Sequence, residues 1–401
     1  MGGPLEGFKV LDLSAVVSGP LTGAMLADQG ATVIKVERVE QGDIQRHVGS
    51  QRNGFSGFFH VLNRGKRSIA VDLGQTRGID IVRRLAADAD VVIQNFRPGV
   101  VDRLGIGYAQ LSADNPGLVY LSISGFGQTG PKAGERAYDP IIQTYAGIAA
   151  VQGRLNIDNP DQPQQVNMLL MDKLTAYTGV QAITAALLAR SRTHAGQHIE
   201  LSMLDTAIAF AWSDSAADLI LQGSDNIDPR PPVGASGQLL QYRDGWGATM
   251  TLSQEEFVGL CHAYDLAEVA TDERFSSLQA RIKNRLALRD IVTDKFAGKA
   301  ATMTLDEAQA KLEANEVPFG PVKRLDELPD DPQVQHNATL RSVTHPVAGA
   351  MLEARPAPLF SGTPLTPSGP APEVGQHTLE ILAELGLAEH YEELIKEGIV
   401  S

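Results

Sequence analysis

Between residues 8 and 124 the chain alternates short apolar runs with helical stretches, and this alternation restricts the fold more than any other feature. Residues 8–14 and 31–37 read as buried strands, with a helix over 20–29 that carries Pro20 near its first turn. The pattern repeats, with strand-like residues 68–73, 90–95 and 117–124 and an amphipathic helix over 76–87. Strands joined by crossover helices run parallel and need both faces covered, so the expectation is an α/β fold with a doubly wound, Rossmann-like parallel sheet.

At 401 residues, 43% hydrophobic and 20% charged, the chain can bury a large core without staples. A Pro/Gly-rich connector over 225–237 is the best boundary. It suggests a large domain from 1–224 plus 331–401 and a smaller α/β domain over 225–330. Within the latter, residues 238–242 and 246–252 read as a hairpin, and Ser253 with Glu256 as a capping box opening a helix that carries Cys261 and His262. A net charge of −14 argues against nucleic acid or an anionic membrane as the main partner. The single cysteine, Cys261, excludes an internal disulfide and a multi-cysteine metal site, while His194 and His198 flank an Ala-Gly turn and form no helical ligand pair, so no metal is expected. With no signal-peptide pattern and no run of 18 apolar residues, the expectation is a soluble, cytoplasmic protein.

Three stretches carry candidate chemistry. Gly125-Phe-Gly-Gln-Thr-Gly130 matches half of a dinucleotide fingerprint, but Pro131-Lys-Ala-Gly134 follows where a helix should open, which weighs against an NAD-dependent oxidoreductase. Lys66 and Arg67 precede one strand, and Arg97 and Arg103 follow another, as phosphate or carboxylate recognition would require, although solvated loop charge accounts for any one of them. Asp172 ends an apolar run at the head of a proline-free, Ala- and Leu-rich helix. Its position alone favours a helix N-cap over the other reading, a nucleophile or base.

In this order, Leu11-Asp-Leu-Ser14 through Gly19-Pro20, residues 27–38, Asn63-Arg-Gly-Lys-Arg-Ser68, Asn95-Phe-Arg-Pro-Gly99, Ser124-Gly-Phe-Gly127, Met171-Asp172 with Gly179, residues 317–322 and Gly375-Gln-His-Thr378 resemble the class III coenzyme A transferases over almost the full length. The resemblance implies that Asp172 is the nucleophile of a CoA transfer from an acyl-CoA thioester to a free carboxylic acid. It further implies that Arg38, Lys66, Asn95, Phe96, Arg103 and Arg136 contact CoA, and that Tyr138, Val17, Val48, Phe59 and a loop near Gly234 and Gly237 border the substrate pocket. Coenzyme A enters as part of the substrate, no tightly bound cofactor is implied, and the family's members form interlocked, ring-linked homodimers. The same superfamily includes α-methylacyl-CoA racemase, whose acid/base histidine is replaced here by Tyr138, so racemisation or another acyl-CoA isomerisation is the alternative.

Overall fold

The computed structural model describes residues 2–153, 162–223, 226–227, 238–365 and 369–401. They form two compact units, one from residues 1–210 with 335–401 and one from 211–334. The first is built on six strands: β1 (Lys9–Asp12), β2 (Thr32–Glu37), β3 (Lys66–Ala70), β4 (Val91–Gln94), β5 (Val119–Ser124) and β6 (Gln197–Ser202). All neighbours pair in parallel, in the order β3-β2-β1-β4-β5-β6. Leu11 of β1 stands opposite Ile34 of β2 and Val92 of β4, which fixes the register at the centre. The strand order reverses between β1 and β4, so the connections leaving those strands diverge and open a crevice outside their C-terminal ends.

Strands β4 and β5 are buried along their whole length, as the uninterrupted Val-Val-Ile and Val-Tyr-Leu-Ser-Ile runs require of a sheet covered on both faces. Helix α1 (Ser18–Asp28) follows β1, and α2 (Thr76–Ala87) contributes Ile79, Val82 and Leu85 to a core shared with Leu11, Ile69 and Val92. The C-terminal segment joins this core through Ile381, Leu382, Leu394 and Val400. It also covers the β3 edge, where the His377 N–H donates to the Ser68 carbonyl at 2.9 Å and Val400 bridges Val71. That contact gives the Gly375-Gln-His-Thr378 run a structural purpose. A hairpin over Leu340–His345 and Gly349–Ala354, for which the sequence pattern gave no signal, completes the unit.

The second unit holds an antiparallel three-stranded sheet of Gln238–Gln241, Trp246–Thr249 and Phe319–Pro321, with Trp246–Thr249 in the middle. Its helices bury Phe257, Cys261, Tyr264, Phe275, Phe296 and Leu312 together. The capping box forms as the sequence indicates, with Glu256 N–H on Ser253 Oγ and Ser253 N–H on Glu256 Oε2, both at 3.0 Å. Burial raises the Cys261 thiol to about 12, which removes it as a nucleophile. Among the described residues no helix is long and apolar enough to cross a membrane, and no cluster of side chains could hold a metal ion.

Candidate active site

Helix α3 (Asp139–Tyr145) and helix α4 (Leu170–Thr193) bring the candidate nucleophile to the sheet. Along α4, Met171, Thr175, Gly179, Ile183 and Leu187 are spaced four apart and lie inward, and Asp172 sits in the adjoining buried row with Ala176 and Val180. The inward face packs closely on α1. A Cβ on Gly179 would lie 3.1 Å from Thr22 Oγ1, and that hydroxyl reaches the Ala176 carbonyl at 3.4 Å. The N-cap reading of Asp172 is corrected here. Leu169 is the N-cap, and Asp172 is the third helical residue, because the helix opens at Leu170.

The Asp172 carboxylate therefore does not cap its own helix. Ser18, the first residue of α1, lies one turn before Thr22, whose hydroxyl bonds the Ser18 carbonyl at 2.8 Å and reaches the carbonyl of Ala176, one turn along α4 from Asp172, at 3.4 Å. The polar groups of Ser18 at that helix start favour the ionised carboxylate. A second carboxylate stands close by. Asp139 is buried, accepts the Asp172 backbone N–H at 2.9 Å through Oδ2, and is held through Oδ1 by Gln143 Nε2 at 2.6 Å. Burial and the neighbouring Asp139 charge raise the Asp172 pKa from its ordinary 3.8 to about 6, and the polar groups of Ser18 oppose the shift without cancelling it. The result is a desolvated carboxylate that is ionised at neutral pH and more basic than ordinary carboxylates.

Ser18 is presented by the β1–α1 loop, which turns tightly because Gly19 lies against Ser14; a Cβ there would come within 2.3 Å of the Ser14 side chain. Beneath α1, Lys66 Nζ donates to Asp12 Oδ2 at 2.7 Å, the Pro20 carbonyl at 2.7 Å and Asn63 Oδ1 at 2.8 Å. Its three protons are thus consumed inside the protein, and Lys66 is 3% exposed. The expectation that Lys66 meets a CoA phosphate is corrected: it anchors α1 to β3.

Around the C-terminal ends of β1, β2 and β3 lies a cleft of about 1040 Å³, and Arg38 and Phe96 line it together with Ser14, Ala15 and His47. Asn95 is adjacent, but both ends of its amide are spent on Ala15, accepting its N–H at 2.9 Å and donating to its carbonyl at 2.6 Å, so it braces the loop. Arg103 on the short helix Val100–Leu104 and Arg136 ahead of α3 are exposed. Of the expected pocket residues, Tyr138 is exposed as the N-cap of α3, Val48 is exposed, and Val17 is buried as the N-cap of α1. Phe59 is fully buried beside Phe55, with the Arg46 guanidinium 3.8 Å above its ring, so it packs and has no face left for substrate. Gly234 and Gly237 lie outside the described residues.

The model for CoA-transferase family III matches residues 5–378. The chain belongs to this family. Among its relatives, the succinate–glutarate CoA-transferase of Agrobacterium fabrum is 35% identical, covering 95% of this chain and 96% of that protein. The human succinyl-CoA:glutarate CoA-transferase is 31% identical, with coverages of 95% and 86%. Among solved structures, a CAIB/BAIF family protein from Brucella suis superposes with a TM-score of 0.80 at 33% identity, covering 96% of this chain and all of that one, 100%. Rv3272 from Mycobacterium tuberculosis also gives 0.80, at 27% identity with coverages of 94% and 98%.

In this family III CoA-transferase, the Gly125–Gly130 run is a loop of turns after β5, and the next helix does not open until Asp139. A dinucleotide fingerprint needs that helix directly on the glycines. Sequence reasoning passed over Ser18, Asp139 and Gln143. Asp139 and Gln143 did carry a signal, since an Asp and a Gln four apart meet on one helix face. Ser18 carried only its place at the start of the first crossover helix.

Proposed function

We propose that the enzyme moves CoA from an acyl-CoA thioester to a free carboxylic acid through a covalent intermediate on Asp172. The observation that carries this reading is the buried Asp172 carboxylate at the head of α4, beside Asp139 and raised to about 6. In the first step a carboxylate oxygen of Asp172 attacks the thioester carbonyl and CoA leaves as thiolate, giving a mixed anhydride. The thiolate then attacks the Asp172 carbonyl, the donor acid leaves as carboxylate, and an aspartyl-CoA thioester remains. An acceptor carboxylate reverses both steps, so one thioester is consumed, one is formed, and Asp172 returns unchanged. When the thiolate attacks, negative charge develops on the Asp172 carbonyl oxygen, and Ser18 at the start of α1 is the nearby group suited to stabilise it.

Arg38 answers the CoA phosphates at the large cleft, Phe96 borders the same cleft, and Arg103 and Arg136 remain accessible to the anionic end. Because relatives carry the names succinate–glutarate and succinyl-CoA–D-citramalate CoA-transferase, the acids exchanged are small dicarboxylates. The working unit is a homodimer. The exposed apolar side chains of Ile141, Tyr145, Tyr177 and Leu188 along α3 and α4 are the surface a second copy covers. A single, unpaired and buried cysteine suits a reducing cytoplasmic compartment.

The test is to incubate the enzyme with succinyl-CoA and each of a panel of dicarboxylates, and to follow new acyl-CoA by mass spectrometry. Transfer in wild type and none in Asp172→Ala is the expected result. No transfer to any acid, with deuterium uptake at Cα of a 2-methylacyl-CoA in the absence of acceptor, would shift the assignment to a racemase.

A further inference from the structure

Val16 has φ of +73°, a left-handed conformation that β-branched side chains avoid. Among the described non-glycine residues in that region, Val16 alone is β-branched. It stands two residues before Ser18, in the loop that leads into α1, which packs on α4 through Thr22, one turn after Ser18, and Ala176, one turn after Asp172. Backbone held in so unfavourable a well persists only where the surroundings over-determine it.

Those surroundings are specific. The Val16 N–H donates to Asp43 Oδ1 at 3.3 Å, and the same oxygen accepts the Gln45 N–H at 3.1 Å. Asp43 Oδ2 is held by Lys35 Nζ at 3.1 Å, and that ammonium also grips the Ser14 carbonyl at 2.9 Å. The Asp43 N–H in turn donates to Glu37 Oε2 at 2.9 Å, and Glu37 is fixed by Arg46 at 2.6 Å and Ser68 Oγ at 2.7 Å. Lys35 and Asp43 have side chains only 1% exposed, so the link is shielded from water. Asn95 clamps Ala15 from the other side.

We propose that Asp43 is a positioning residue for CoA transfer: by holding the Val16 peptide in its left-handed conformation, it fixes the start of α1, with Ser18, against the α4 turn that carries Asp172. This rests on the transferase reading above. Without the Asp43 oxygen, the Val16 peptide relaxes to negative φ, the chain direction into α1 turns, and Ser18 moves away from the α4 turn that carries Asp172. Asp43 touches no reacting atom, so its loss should fall on kcat and spare the binding of acyl-CoA.

The test is a double-mutant cycle between Asp43→Ala and Val16→Gly, because glycine adopts positive φ without a steric penalty and no longer needs to be forced there. Asp43→Ala should lower kcat by about tenfold or more with KM for succinyl-CoA changed less than about threefold. The double variant should recover to within about threefold of Val16→Gly alone. A double variant as impaired as Asp43→Ala, or a loss confined to KM, overturns the proposal. If Asp43→Ala does not fold, Asp43→Asn, which keeps an oxygen for the Val16 N–H, should hold kcat within about threefold of wild type, and a loss of about tenfold or more in that variant overturns the proposal. Wild-type turnover measured alongside separates the two ideas: no CoA transfer by wild type refutes the transferase reading, whereas transfer by wild type without rescue refutes only the role of Asp43.

Discussion

Replacing Asp172 by asparagine should abolish transfer and at the same time stabilise the fold at neutral pH. Asp172 lies 8% exposed, and its pKa rises from an ordinary 3.8 to about 6 on folding. A folded-state pKa above the unfolded one means that the native state binds protons more tightly. The associated stability is fully present below pH 3.8 and is lost as pH rises through about 6. Each pKa unit corresponds to about 1.4 kcal/mol, so keeping the ionised carboxylate in place costs on the order of 3 kcal/mol at pH 8 and roughly half that at pH 5. Asparagine keeps the shape and a side-chain oxygen but has no charge to desolvate. Thermal unfolding of wild type and Asp172→Asn across pH 5 to 8 should show a gain for the variant of several degrees, larger at the alkaline end. A variant less stable than wild type, or a gain that does not vary with pH, would refute the claim that a buried, electrostatically opposed carboxylate is held there for chemistry.

Three further outcomes follow from the geometry. Because Asp172 must be ionised to attack, kcat/KM should fall as pH drops through about 6, and Asp139→Asn should move that limb to lower pH by removing the like charge; an unmoved limb contradicts the coupling. Arg38→Ala should raise KM for acyl-CoA by about tenfold with kcat little changed, as loss of a phosphate contact predicts. Lys66→Met should cost about 3–5 kcal/mol in denaturant unfolding by leaving Asp12 buried and unpaired, while KM for acyl-CoA in the folded fraction stays near wild type; a selective rise in KM would return Lys66 to the CoA site.

The sheet was legible because strand and helix periods alternate cleanly through the first 124 residues, and parallel pairing leaves few ways to connect such elements. The place of Asp172 at the head of a long helix was legible too, in the proline-free, Ala- and Leu-rich run that follows it, whereas its burial beside the inward row of Met171, Thr175, Gly179 and Ile183 emerged only in the fold. The partner of its carboxylate was not legible. Ser18 lies 154 residues away in the chain, and nothing local distinguishes a serine that opens a helix from one that meets a nucleophile. Lys66 and Asn95 misled for a related reason. A cation and an amide at strand ends suit phosphate recognition, but a pattern of types cannot show that Asp12, Asn63 and the Ala15 peptide have already taken their hydrogen bonds. The left-handed Val16 was invisible, since φ depends on the anchors around it and valine announces the opposite preference.

The central claim is that Asp172 becomes covalently acylated and then carries CoA. Incubation with succinyl-CoA, trapping by hydroxylamine and mapping of the peptides by mass spectrometry tests it directly. A hydroxamate should form on Asp172, and only when acyl-CoA is present. Full turnover with Asp172 unmodified, or a modification on Asp139 in its place, would contradict it.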